Sequence, residues 1–308
     1  MKFLKFSVIA IVLAIATSCT LDKTDFEAEL IRDIPEYYDF EEVTSFNNDN
    51  YKIIIKALNG TFYKGYNEVR LIIVNIQTNQ VLNDAEVTFL PILINSEDNT
   101  TSCPHRYNLV YNTEEQYYSG YSVFTKLNNP MEDWVLHISF TDNNQTYNVN
   151  TFISVENQTN KNLNMTEFVG NDGELYFIAL VAPQSPEVAE NELVAGIYKY
   201  NQPNEPEGTF PDPNQFSYSE VPNHTLLLDP RMPEPSMGNH SSPNNIDLTQ
   251  QSDGLYYGIV NYTMTGNWTL NFILLNQNGE VIKGTEVPND FTPGIEGAKS
   301  ELHIDILF

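Results

Sequence analysis

Two stretches of sequence decide the fold: Trp134-Val135-Leu136-His137-Ile138-Ser139-Phe140 and Trp268-Thr269-Leu270-Asn271-Phe272-Ile273-Leu274. In the first, large apolar residues alternate with others at period two, the pattern of a β-strand with one buried face. Each stretch follows a tyrosine-rich run. Tyr117-Tyr118-Ser119-Gly120-Tyr121-Ser122-Val123-Phe124 is answered by Leu255-Tyr256-Tyr257-Gly258-Ile259-Val260-Asn261-Tyr262, and earlier Ser102-Cys103-Pro104 is answered by Ser241-Ser242-Pro243. Three blocks recurring in one order indicate two homologous domains, each with a tryptophan at the head of an inward-facing strand.

Short β-branched and aromatic runs elsewhere agree: Lys52 to Leu58, Val69 to Val74 and Ala85 to Leu90 lie between turn clusters, and no long helical period occurs. The expected fold is all-β, two tandem immunoglobulin-like or cupredoxin-like antiparallel sandwiches over 51–156 and 173–308. The polar stretch 157–172 reads as the linker between them. Residues 201–219, with Pro203, Pro206, Pro211 and Pro213, read as a proline-rich insertion between strands of the second domain.

At the N-terminus, Lys2 and Lys5 precede an apolar run, Phe6 to Ala16, too short to span a bilayer comfortably. We read 1–18 as an export signal. Ile15-Ala16-Thr17-Ser18-Cys19 resembles the bacterial lipobox, which implies that Cys19 becomes the acylated first residue, and Thr20 beside it implies sorting to the outer membrane, facing either the periplasm or the cell surface. Acidic residues crowd 19–50, read as a tether that lifts the body off the membrane. With 41 acidic against 15 basic side chains, the chain repels phosphate backbones, so nucleic acid is not expected as a partner.

No Gly-x-Ser-x-Gly elbow, His-Glu-x-x-His helix or phosphate-cradling glycine loop occurs, and a non-enzyme is expected. The sharpest constellation is Met232-Pro-Glu-Pro-Ser-Met237-Gly-Asn-His240-Ser-Ser-Pro243. Thioether with imidazole is a ligand set suited to copper(I), and Met264 or His224 can supply a further donor if the fold brings them near. The competing reading is that the methionines plug gaps over the end of the sandwich. Cys103 is either a small buried hydrophobe or, with His105 two residues on, half of a thiolate–imidazole pair. His137 reads as a packing or hydrogen-bonded residue.

Residues 230–274, with Met-Pro-x-x-x-Met-Gly-x-His-Ser-Ser-Pro, Gly-x-Tyr-Tyr-Gly and Asn-Tyr-Thr-Met-Thr-Gly-Asn-Trp, resemble the YtkA-like/FixH-like domain. The resemblance implies a small extracytoplasmic module of Bacteroidetes-type lipoproteins associated with copper handling. It also implies that Met232, Met237 and His240 form the metal-binding loop. For a protein that holds or passes on copper(I), a copper-accepting protein is the expected partner. Asn239 stands between Gly238 and His240, where many members have Met-Gly-His-Gly. The rival expectation is a non-catalytic surface module that recognises a protein or polysaccharide through Tyr117, Tyr118, Tyr256 and Tyr257.

Overall fold

The structure is a computed structural model and describes residues 39–308. The expected export signal, the expected acylation site Cys19 and the expected tether up to residue 38 lie outside the described residues. The first domain comprises β1 (Phe40–Asn48), β2 (Tyr51–Leu58), β3 (Phe62–Tyr63), β4 (Gly65–Asn75), β5 (Gln80–Val81), β6 (Val87–Asn95), β7 (Thr100–Ser102), β8 (Val110–Asn112), β9 (Tyr117–Phe124), β10 (Glu132–Asp142), β11 (Gln145–Ile153) and β12 (Val155–Glu156). The second comprises β13 (Met165–Val169), β14 (Leu175–Ala182), β15 (Glu190–Tyr200), β16 (Tyr218–Glu220), β17 (Thr225–Met232), β18 (His240–Ser241), β19 (Ile246–Gln250), β20 (Tyr256–Asn261), β21 (Asn267–Leu275), β22 (Val281–Lys283) and β23 (Leu302–Leu307).

Period-two patterning becomes burial directly. Along β2, Tyr51, Ile53, Ile55 and Ala57 are buried, and Lys52, Ile54 and Lys56 are only partly covered. The sheet β1-β2-β4-β9-β8 packs these residues on Trp134, Leu136, Ile138 and Phe140 of the sheet β11-β10-β6-β7, giving an antiparallel sandwich. Tyr51 meets Phe140 edge-on at 5.2 Å, and Phe124 meets Trp134 at 4.9 Å.

The second domain repeats this order strand for strand: β13-β14-β15-β20-β19 answers the first sheet, and β22-β21-β17, with β18 on β17, answers the second. Here β19 also pairs with β17 and joins both halves into one sheet, where the first domain has a single bridge, Thr88 to Asn108. The likeness reaches side chains. The Tyr118 hydroxyl accepts from Ala85 N as the Tyr256 hydroxyl accepts from His224 N. Trp134 Nε1 donates to Lys126 O, and Trp268 Nε1 to Met264 O, both at 3.0 Å. Gly120 opposite Val69 leaves room for Leu109, and Gly258 opposite Leu193 leaves room for Leu248.

Two boundaries are corrected. The last part of the expected tether, Phe40–Asn48, is an edge strand paired with β2. Its Glu41 and Glu42 are exposed, and charge on an edge strand is compatible with pairing on its other side while it deters further strands. Within the expected linker, Met165–Val169 pairs with β14, and Asn160 and Asn162 are buried, their amides donating to Gln184 O and Pro183 O. These asparagines satisfy backbone carbonyls, so a polar stretch is packed in place.

The described domains belong to one compact unit. Between them, Tyr121, Val123, Phe177, Ala179 and Tyr198 form a shared cluster, flanked by an ion pair of Arg106 with Glu220 at 3.0 Å. The proline-rich insertion contains one 3-10 turn, Pro213–Phe216, and its Phe216 packs on Leu90 and Ile92 of the first domain. The outer face of β6 is thereby partly covered by the other domain.

Candidate functional site

The end of β17 and the segment after it hold the Met/His constellation. β17 turns back into β18 through 233–239, where Met237 N donates to Glu234 O (2.9 Å) and His240 N to Met237 O (3.2 Å). Gly238 and Asn239 take positive φ in succession, 64° and 53°. Glycine and asparagine enter that region at least cost, so Asn239, the departure from Met-Gly-His-Gly, is a residue type suited to this position.

The register then sets Met232 directly opposite His240. Directly opposed residues of an antiparallel pair present side chains on one face. Met232 is 2 % exposed, and its Cε lies 2.9 Å from where a Cβ on Gly266 would sit. His240 reaches the same turn: its Nε2 hydrogen-bonds to Thr263 Oγ1 at 2.7 Å, and its ring lies 6.0 Å from that of Trp268. Met264 belongs to this turn, and both Met237 and Met264 pack against the cluster that contains Met232 and Trp268. The fold therefore brings Met232, His240 and the turn bearing Met264 together, with Met237 on the connecting loop. Thr263 and Trp268 escaped the sequence reading as neighbours of the imidazole; the only signal was their position flanking Met264.

On the other face of β17, the buried Arg231 ties down the segment between β22 and β23. It pairs with Asp229 at 2.9 Å and donates to Pro288 O (3.3 Å) and Asn289 Oδ1 (2.6 Å). Asn239 Nδ2 donates to Pro288 O (3.3 Å) and Asp290 O (3.4 Å), and Gly297 N donates to Pro233 O (2.7 Å). The loop is thus braced from behind while its Met232/His240 face stays against the 263–266 turn.

His224 is not part of this constellation. It precedes the first residue of β17 while Met232 ends it, and eight strand steps separate them by roughly 26 Å. Its Nδ1 hydrogen-bonds to Pro222 O at 2.8 Å.

Of the two readings of Cys103, the thiolate–imidazole pair with His105 does not form. His105 Nδ1 hydrogen-bonds to the Cys103 carbonyl at 2.7 Å, whereas the thiol lies 3.3 Å from Ser122 Oγ. Both side chains are buried. Burial pushes the Cys103 thiol up to about 12 and the His105 imidazole down to about 4, so both are neutral near pH 7. Cys103 is a packed hydrophobe.

The repeat supplies an internal comparison. In the first domain Leu93 pairs with Thr101 at the positions of Met232 and His240, and neither residue can ligate a soft metal. Among the described residues, no three His, Cys, Asp or Glu side chains gather where they could hold a metal ion. The tyrosines of the rival expectation are not a free surface: Tyr117, Tyr118 and Tyr256 are buried, and Tyr257, partly covered, donates to Asp253 at 2.6 Å. No protein-family model matches the sequence, and no curated protein gives a significant match to it.

Proposed function

We propose that this protein is an envelope lipoprotein that holds copper(I) at the end of its second domain, through Met232, Met237 and His240 with Met264 as a further donor, for storage or transfer to an accepting protein. The observation that carries this reading is the cross-strand opposition of Met232 and His240, with both side chains reaching the turn that bears Met264.

The donor chemistry fits the ion. Thioethers remain unprotonated at any physiological pH and prefer soft, monovalent copper over zinc or magnesium. The Thr263 hydroxyl can hold the proton on His240 Nε2, which leaves the Nδ1 lone pair for a metal and fixes the ring plane, the usual service of a neighbouring hydrogen bond to a ligating imidazole. Trp268 walls one side with an apolar surface that limits water. Methionine is also the residue that replaces a core leucine at least packing cost, so Met232 adds a donor at the position of Leu93 without emptying the core.

Titration of the mature protein with copper(I) against a competing chelator tests this. The reading requires one tightly held ion, lost when Met237→Ala is combined with His240→Ala; no uptake, or uptake indifferent to those substitutions, rejects it.

A further inference from the structure

A second candidate site lies on the opposite domain. The outer face of β10 and β11 forms the floor and one wall of an open groove of about 570 Å³, and Phe210 of the proline-rich insertion closes it from the second domain. The pattern that buries Trp134 and Leu136 sends His137 and Ser139 outward, and the register places Asn150 opposite His137 and Asn148 opposite Ser139. Tyr107 lines the side toward the insertion. The Phe210 ring stands edge-on to His137 at 5.6 Å and remains 45 % exposed.

We propose that this groove binds a neutral oligosaccharide. Three features of the lining select that chemistry. First, it contains no charged side chain in a protein with 41 acidic residues, so neither an anion nor a cation finds a counter-charge. Second, Ser139, Asn148 and Asn150 present a hydroxyl and two amides to the groove, and His137 Nε2 is buried with no hydrogen-bond partner among the described residues. Elsewhere amides such as Asn67, Asn191 and Asn271 bond to backbone carbonyls of the chain. A purely apolar ligand would leave the groove's donors and acceptors unpaired at a cost, whereas sugar hydroxyls, which both donate and accept, match amides and imidazole. Third, Phe210 and Tyr107 offer apolar ring surface for the C–H face of a pyranose, and the groove is of the size that holds small ligands. Burial lowers the His137 pKa and so favours the neutral ring, in accord with an uncharged ligand.

The site needs both domains. Phe210 reaches the first domain because Phe216 of the same insertion is seated on Leu90 and Ile92. This supplies a role for an insertion that no segment of the first domain matches, and it is independent of the copper reading.

The test is calorimetric titration of the mature protein with a set of neutral hexasaccharides (maltohexaose, cellohexaose, mannohexaose and chitohexaose) and with hexagalacturonate as the charged comparator. At least one neutral sugar should bind. Phe210→Ala and Asn150→Ala should each weaken it about tenfold or more, with unchanged circular dichroism, while Asn278→Ala on a remote turn and the Met237→Ala/His240→Ala pair leave it unchanged. Absence of binding across the neutral set, preference for the charged sugar, or affinity untouched by Phe210→Ala and Asn150→Ala would overturn the proposal.

Discussion

Met232 faces His240 across β17 and β18 as Leu93 faces Thr101 across β6 and β7. One backbone register thus carries a thioether–imidazole pair in one domain and an aliphatic–hydroxyl pair in the other. The difference between the domains lies in the donors, because the strand pairing that presents them is shared. It also supplies variants that remove the donors while borrowing residues the same architecture already tolerates.

The buried His105 makes stability depend on pH. Burial lowers its folded pKa to about 4 from the ordinary imidazole value of 6.5, so the unfolded chain binds the proton more readily. Its contribution is complete above pH 6.5 and is lost as pH falls from there through about 4, amounting to roughly 3 kcal/mol. Urea melts should show that decline. His105→Asn, which retains a donor toward Cys103 O, should flatten it; an unchanged slope would show that His105 is not the group responsible.

Cys103 should be inert in the folded protein. With its thiol buried and pushed up to about 12, alkylation by iodoacetamide at pH 8 should be negligible and should become complete in guanidinium. Rapid labelling of the native protein would contradict the buried placement.

The glycines of β9 and β20 should differ in cost. A Cβ on Gly120 would sit 2.3 Å from the mobile end of Leu109, whereas one on Gly258 would sit 2.5 Å from the Ile246 carbonyl oxygen as well as against Leu248. A side-chain end can rotate away and a backbone carbonyl cannot. Gly258→Ala should therefore lose about 2–3 kcal/mol and Gly120→Ala less, in denaturant unfolding. Equal losses would count against the tight approach of β19 to β20.

The two sandwiches should unfold together. The cluster of Tyr121, Val123, Phe177, Ala179 and Tyr198 between them is buried, and Phe216 adds a second contact. A single calorimetric transition is expected for the wild type, with two resolved transitions when Tyr121→Ala is combined with Phe216→Ala. Two transitions in the wild type would mean that the interface contributes little.

Much of the fold was legible because its strands are amphipathic at period two and its repeat is marked by tyrosine, glycine and tryptophan at matched places. β1 was hidden because Glu41 and Glu42 stand on an edge, where strand residues need not be apolar. β13 is hidden behind asparagines that look like a linker yet donate to the partly buried carbonyls of Pro183 and Gln184. In the Met/His loop the spacing of Met232, Met237 and His240 is visible in the sequence, but the register that opposes two of them is not. The fold does not bring His224 near, because closeness in sequence along a strand is distance in space. The Cys103–His105 pair failed because the imidazole turns to the carbonyl of Cys103, a choice that side-chain spacing does not encode. The groove is not legible in the sequence because His137 shares a strand with core residues and Phe210 reaches it from the other domain.

The most direct test of the copper reading gives the second domain the first domain's residues. In Met232→Leu/His240→Thr, both replacements occupy the same register in the first domain, so the fold should persist with an unaltered melting temperature within a few degrees. Copper(I) affinity, measured in competition with a chelator, should then fall by at least about a hundredfold, the loss of two donors. A variant that remains folded and holds copper(I) as tightly as the wild type would contradict the account.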